Sequence, residues 1–378
     1  MENQTKKVLF IATVVKAHIN TFHLPYIKFF KDRGYETHVG AKNDFYDEEC
    51  IIPNCDVHHN IEFERSPINK KNIKAYRQLK KIINKNNYEI IHCNTPVAAM
   101  LTRFAARKSR KNGTRVIYTG HGFHFFKGAP LINWVIYYPV EKICSYLTDD
   151  LITINKEDYE LAKTKMKAKN IHYVPGVGVD TRKYGQIDVD VDRKRRELNI
   201  PTNSTVLLSV GELNKNKNHE VIIRALSKLN NSNIHYIIAG RGKLEEYLMN
   251  LSKELGVEKQ VHLLGFRSDI VELCKISDIF CFPSYREGLS LSLMEAMACE
   301  LPVVCSNIRG NVDLIQDKKG GCLCDVKSIN QFSESIEKLI NDIDNRKLMG
   351  EYNKNYIKKF DVDVVRNEMT LIYENLRS

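Results

Sequence analysis

Short apolar runs alternate with longer amphipathic stretches from one end of the chain to the other. Residues 8–15, 36–40, 90–93, 116–119 and 151–154, with a shorter segment around Val57, are apolar enough and short enough to be buried strands. A second series occupies residues 206–210, 234–239, 261–264, 279–282, 303–305 and 321–324. Between them lie segments with helical character. Residues 21–33 run to Gly34, residues 72–83 are basic, residues 131–140 end near Pro139, residues 293–299 are closed by Pro302, and residues 362–376 form the tail. This rhythm predicts an α/β chain with parallel sheets covered on both faces. Around Pro175-Gly176-Val177-Gly178-Val179-Asp180 the texture changes, which suits a linker between two domains. A charged helix to about Leu198 follows it.

The length supports this division, since 378 residues exceed one ordinary core and suit two. The apolar segment 8–15 is strand-sized, too short for a secretory signal. No window approaches the roughly 20 apolar residues that span a bilayer. Ten cysteines occur without a Cys-x-x-Cys pair, and Cys322 and Cys324 read as buried thiols before they read as ligands. The expected compartment is the cytoplasm.

Charge changes the picture. Of the formal net +11, residues 1–180 hold 28 basic against 18 acidic groups, and residues 181–378 hold 29 against 28. One half therefore meets an anionic partner, such as a membrane surface, a lipid diphosphate or a nucleic acid backbone. The basic segment Lys70, Lys71, Lys74, Arg77, Lys80, Lys81 and the cluster Arg103, Arg107, Lys108, Arg110, Lys111 are the expected lipid-facing features. Residues 131–140, with the single Trp134, read first as a core helix and second as an interfacial patch.

In parallel sheets ligands sit beyond the C-terminal ends of strands. The first strand is followed by His18 and His23, with none of the glycines of a dinucleotide fingerprint. The fourth is followed by Asn94 and Thr95, the fifth by Gly120-His121-Gly122. In the second half the strand ends lead to Gly211-Glu212-Leu213-Asn214-Lys215-Asn216-Lys217, to Gly240-Arg241-Gly242, to Gly265-Phe266-Arg267, and to the stretch from Pro283 to Cys305. In that stretch Glu287 lies in a loop and Glu295 in a first helical turn, flanking amides that attract anions. Carboxylates there suit a ligand that also carries hydroxyls. Ser292 with Glu295 also has the spacing of a capping box, so the residues alone leave that role open. Asp149-Asp150 suits turn chemistry, and no cluster of aspartates suggests a divalent metal.

Glu287 and Glu295, followed by Ala296-Met297-Ala298-Cys299 and Leu301-Pro302-Val303-Val304, resemble the Glu-x7-Glu signature of retaining glycosyltransferases of family 4. Residues 9–15, 91–96, 121–130 and 151–159 are similar to bacterial exopolysaccharide and capsule members of that family. The resemblance spans essentially the whole chain. It implies a GT-B fold, two Rossmann-like domains facing each other across a cleft, with a C-terminal helix crossing back to the first. The corresponding segments are 1–180, 181–360 and 361–378.

The same resemblance implies the chemistry. A UDP-sugar, N-acetylhexosamine by family habit, passes its sugar with retention to a lipid-diphosphate-linked saccharide at the inner face of the membrane. His121, Glu287 and Lys217 are the implied catalytic residues. Gly211, Glu212, Lys215, Gly240, Phe266, Arg267, Gly288, Leu289, Ser290, Leu291 and Glu295 are the implied donor site, and His18, His23, Asn94 and Thr95 the acceptor site. No metal, cofactor or nucleic acid is implied. The chain departs from the pattern at Glu212, where the family usually carries an arginine, leaving Lys217, with Lys215 or a cation of the first domain as the candidate helpers, to neutralise the leaving diphosphate. A sugar-nucleotide epimerase on the same fold is the alternative, and a basic nucleic-acid-binding protein a more distant one.

Overall fold

The computed structural model describes residues 5–45, 48–185 and 187–376. The chain ends, residues 1–4 and 377–378, lie outside them. Two units emerge, residues 1–176 with 366–378, and residues 177–365. The chain thus leaves the first unit inside the Pro/Gly segment and returns to it within the last helix.

The first unit holds seven parallel strands: β1 (Lys7–Val14), β2 (Glu36–Lys42), β3 (Val57–Asn60), β4 (Ile90–Asn94), β5 (Arg115–Gly120), β6 (Asp150–Thr153) and β7 (Asn170–Tyr173). Their order is β3-β2-β1-β4-β5-β6-β7. Every residue of β4 is buried, as expected of a strand covered on both faces. Among its helices are α1 (Leu24–Lys31), α2 (Lys71–Asn86), α3 (Pro96–Lys111) and α4 (Leu131–Ser145). Helix α2 buries Ala75, Leu79 and Ile83, one side chain per turn, and leaves its lysines in solvent.

The second unit holds six: β8 (Thr205–Val210), β9 (Ile234–Ala239), β10 (Val261–Leu263), β11 (Ile279–Phe282), β12 (Val303–Ser306) and β13 (Gly321–Cys324), ordered β10-β9-β8-β11-β12-β13. Alternate residues feed opposite cores. Leu207, Ile279, Cys281 and Val304 enter one, while Val206, Leu208, Phe280, Phe282 and Val303 enter the other. Its helices include α5 (His219–Leu229) and α6 (Leu291–Ala298), and α7 (Val362–Asn375) leads back to the first unit. There Tyr373 is buried and bonded to His92 across 2.8 Å.

Several expectations change. The helix expected over 21–33 is broken: residues Asn20–Phe22 and α1 flank His23, preceded by a π-helical turn, Val15–Ile19. Strand β7 was not anticipated, because only Ile171 in it is aliphatic and its residues are half-buried or exposed. Helix α4 passes through Pro139 to Ser145, and it is not a core helix, since only Glu141, Cys144 and Ser145 are buried. Arg103 does not face lipid. It is 1% exposed, paired to Glu141 and laid over the Tyr118 ring at 4.1 Å. Asp149 and Asp150 are buried ion-pair residues, not turn residues. Asp149 meets Arg110 and Lys169, Asp150 meets Arg115 and His172. Burial alone would raise the Asp150 carboxyl, but bonds from His172, Arg115 and Asn170 hold it down to about 2.

Candidate functional site

Both sheets reverse strand order at the same place, between β1 and β4 in one and between β8 and β11 in the other. Ligands of open parallel sheets gather beyond the C-terminal ends of strands at such reversals. The predicted residues divide between the two units, and most follow the strands at these reversals, whereas Gly240, Phe266 and Arg267 follow β9 and the edge strand β10.

In the second unit the loops after β8 and β11 are tied together. Tyr285 donates its backbone amide to the carbonyl of Asn216 at 2.8 Å, and Asn216 returns its side-chain amide to the carbonyl of Arg286 at 2.9 Å. Asn218 adds a bond to the carbonyl of Pro283. This clamp places the Lys217 ammonium 2.8 Å from the Glu287 carboxylate and 4.7 Å above the Phe282 ring. Both groups are half-buried, so the pair is shielded from bulk water. Arg309 donates to the backbone carbonyl of Glu287 at 3.2 Å. Gly310 follows with φ +79°, and a Cβ there would stand 2.2 Å from the carbonyl oxygen of Gly288. The loop after β12 therefore braces the loop that carries Glu287.

Gly288, Leu289 and Ser290 lead into α6, whose first amides lack helical partners. Ser290 is the cap residue, its hydroxyl 3.0 Å from that of Ser292, and neither side chain caps the backbone. The capping-box reading of Glu295 is thus not realised, and Glu295, the fifth residue of α6, lies beyond the first turn in which it was expected. Its carboxylate instead accepts the Tyr184 hydroxyl at 2.6 Å. Burial raises the Glu295 carboxyl above its usual range, against the opposing effects of Tyr184 and Lys183.

The remaining predicted donor residues are less converged. Gly211 lies against the Lys217 side chain, and a Cβ on Gly240 would fall 1.8 Å from the Gly211 carbonyl oxygen. These glycines are demanded by the neighbouring loop itself. Glu212 and Lys215 are exposed, as is Phe266 at 72%. Arg267 is engaged by Asp269, which also meets Lys194 at 2.6 Å. A cavity of about 440 Å³ opens beside the same loop, lined by Asn214, Lys215, His219, Tyr247 and Tyr285 among others. Lys217, Glu287 and Glu295 do not line it.

In the first unit, His18, His23 and His121 converge. Their ring nitrogens lie within 4.8 Å of one another, and His18 stacks edge-on to His121 at 5.2 Å. His121 faces the Asn94 side-chain oxygen at 3.4 Å. Thr95 sits at φ +61°, a costly conformation for a β-branched residue; its hydroxyl accepts from that of Thr13 at 2.8 Å and donates to the carbonyl of Asn94. Burial, reinforced by its histidine neighbours, holds His18 down to about 3. Burial alone holds His121 down to about 4. His23 is pushed well below its ordinary value for the same reasons as His18. The trio is neutral at physiological pH and offers hydrogen bonds, not charge. Neither ring nitrogen of His23 has a partner, nor does His18 Nε2. These are the groups that could hold a metal, although a zinc site brings ligand nitrogens closer together, at about 2.0–2.1 Å from the ion.

Sequence reasoning missed Tyr184, Asn218, His219 and the Arg309-Gly310 pair. His219 is buried, and burial together with the charge of Lys217 lowers it to about 4. Arg309-Gly310 follows a strand end and was findable by the rule used for the other loops. Tyr184 had no local signal, since its partner lies 111 residues away.

Residues 190–356 match the family described as glycosyl transferases group 1, and residues 7–155 match glycosyl transferase 4-like. The chain is 38% identical over 376 residues to a putative glycosyltransferase, EpsD, of Bacillus subtilis, covering 98% of this chain and 96% of that one. It is 30% identical over 279 residues to the UDP-Gal:alpha-D-GlcNAc-diphosphoundecaprenol alpha-1,3-galactosyltransferase of Escherichia coli, covering 72% and 71%. Among solved structures, Anabaena HepE in complex with UDP superposes with a TM-score of 0.79 at 18% identity, over 98% of this chain and 100% of that one. Two Rossmann-like sheets in this order, with that likeness, constitute the GT-B fold. The chain belongs to the group 1, family 4-type glycosyltransferases and is a glycosyl-transferring enzyme.

Proposed function

We propose that this enzyme moves a sugar, an N-acetylhexosamine, from a UDP-sugar to a lipid-diphosphate-linked saccharide, retaining the anomeric configuration, during assembly of an extracellular polysaccharide. The Lys217–Glu287 pair beside the N-terminus of α6, at the strand reversal of the second sheet, carries this reading. The relatives support the acceptor class: the Escherichia coli enzyme and a Campylobacter jejuni enzyme 27% identical over 372 residues are both named for diphospho-undecaprenol acceptors. The UDP bound to HepE supports the donor class.

In this reading the diphosphate meets the amides at the start of α6 and the Lys217 ammonium, whose three N–H donors serve both phosphate and Glu287. Glu287 accepts from sugar hydroxyls and Glu295 from the ribose. The bond between C1 and the phosphate oxygen breaks with its electron pair going to phosphate. The acceptor hydroxyl oxygen bonds C1 on the same face, and its proton passes to the departing phosphate oxygen. Fixed donors lower the barrier most where that negative charge develops. Neutral His121 positions the sugar, and His18, His23, Asn94 and Thr95 receive the acceptor. No divalent metal takes part, and the enzyme works at the inner membrane face.

The test supplies the purified enzyme with UDP- and GDP-sugars and a short-chain lipid-diphosphate monosaccharide. An α-linked disaccharide product from a UDP-N-acetylhexosamine is expected. Turnover only with a GDP-sugar, a β-linked product, or an isomerised sugar nucleotide formed without acceptor would each sink the proposal.

A further inference from the structure

Helix α4 is amphipathic the wrong way round for a soluble surface. At 100° per residue, Leu131, Ile132, Val135, Ile136, Val140 and Ile143 occupy roughly half of its circumference over about 18 Å of length. All six are exposed, Leu131 at 82% and Val135 at 70%. The inward half carries the polar anchors. Glu141 is paired to the buried Arg103 of α3, and Trp134 donates its indole N–H to the carbonyl of Phe126 at 3.3 Å while packing on Phe125. The helix is therefore pinned with its aliphatic face outward by bonds that fix its rotation. Exposed apolar faces of this extent mark interaction surfaces.

The surroundings select the occupant. Lys142 bonds the backbone carbonyl of Lys165, and the backbone amide of Lys167 bonds the Ser145 hydroxyl at 2.9 Å. Three lysines thus fringe the C-terminal end of the apolar face, with no acidic partner for them among the described ion pairs. The same face on a second copy of the chain would offer these lysines no acidic partner, since Glu141, the one acid on α4, is turned inward to Arg103. An anionic lipid surface accepts both features, aliphatic groups below the headgroups and ammonium groups among the phosphates. No helix among the described residues is long and apolar enough to cross a membrane.

We infer that α4 lies in the plane of an anionic bilayer surface with its aliphatic face inserted, anchored by Lys142, Lys165 and Lys167. This deepens the reading above, in which the acceptor is lipid-borne, and replaces attachment by the basic α2 and α3 clusters with hydrophobic insertion. The whole enzyme is mixed with vesicles of phosphatidylglycerol and phosphatidylethanolamine and sedimented at low salt and at 1 M NaCl. Binding that falls only a few-fold in high salt is expected. The triple variant Leu131→Ser/Val135→Ser/Ile136→Ser should lose at least tenfold in partitioning at both salts. Lys142→Gln/Lys165→Gln/Lys167→Gln should lose the salt-sensitive part alone. Wild-type binding abolished by salt, unchanged binding of the serine variant, or a dimer in solution that the serine variant dissolves would overturn the inference. Melting curves with UDP establish that the variants fold, and transfer to a short-chain acceptor, which needs no bilayer, separates failure of this inference from failure of the transferase reading.

Discussion

The Tyr184 hydroxyl donates to the Glu295 carboxylate across 2.6 Å, joining the short helix after the domain linker to the helix that opens at the strand reversal. The bond opposes a burial that raises the carboxyl. A group whose folded value is raised costs stability as the pH climbs through that value, because the folded state must then bury a charge. Glu295→Gln removes that cost. The variant should melt higher than the wild type at pH 7, with the difference vanishing as the pH falls below the ordinary carboxylate range. Its affinity for UDP should fall tenfold or more, since hydrogen bonds to a charged acceptor contribute about 1.5–3 kcal/mol. Calorimetry with UDP and melting curves across that pH range check both halves.

Lys217, Glu287 and Glu295 are assigned different work, which steady-state kinetics can separate. Lys217→Ala and Glu287→Ala should lower kcat by about a hundredfold or more, the scale for losing one donor or orienting group at a developing charge. Glu295→Ala should act on the donor KM and leave kcat within a few-fold. Normal transfer by both glutamate variants would show that the donor lies elsewhere.

The alternation of strands and helices was legible because it depends on local periodicity, and so were the loops at the strand ends. The order in which the strands pair was not. Nothing local says that β1 lies between β2 and β4, yet this reversal is what brings His18 and His121 together. Charge misled at Arg103, since composition treats arginine as a surface residue and its partner Glu141 is 38 positions distant. Residues 131–140 misled in the opposite sense. A helix apolar nearly all round reads as buried, and only the rotation fixed by Glu141 and Trp134 turns its aliphatic side outward. Lys217 and Glu287 were each visible, but their 2.8 Å contact closes over 70 positions.

His23 packs against Phe10, Tyr26 and His92 with neither ring nitrogen bonded. A buried histidine held below its ordinary value keeps full stability above about pH 6.5 and loses it as the pH falls, because the unfolded chain takes the proton first. His23→Phe keeps the aromatic packing and deletes the unbonded nitrogens. It should gain about 1 kcal/mol or more at neutral pH and gain more at pH 5. If His23 receives the acceptor, the acceptor KM should rise while the donor KM holds. A destabilised variant, measured by denaturant unfolding, would indicate that a bound water or ion serves those nitrogens.

Metal-independent transfer is testable beside the histidine trio. Dialysis against EDTA, then assay in chelator, should leave kcat within a factor of two. Loss of activity restored by magnesium or manganese would point to a metal on the diphosphate. Loss restored by zinc alone, and absent in His18→Gln, would place the ion on the trio.

The Arg103–Glu141 pair lies beneath the exposed face of α4, with Arg103 fully enclosed and also donating to the backbone carbonyl of Ala99. Breaking a buried pair strands its remaining charge, at a cost of about 3–5 kcal/mol, whereas replacing both partners with apolar groups is often neutral. Glu141→Gln should therefore lower the melting temperature sharply. Arg103→Met/Glu141→Leu should recover most of that loss. The double variant also removes the bond that fixes the rotation of α4, so its vesicle partitioning should fall even where its stability returns. Recovery of stability with full vesicle binding would show that Trp134 and the flanking packing suffice to hold the aliphatic side outward.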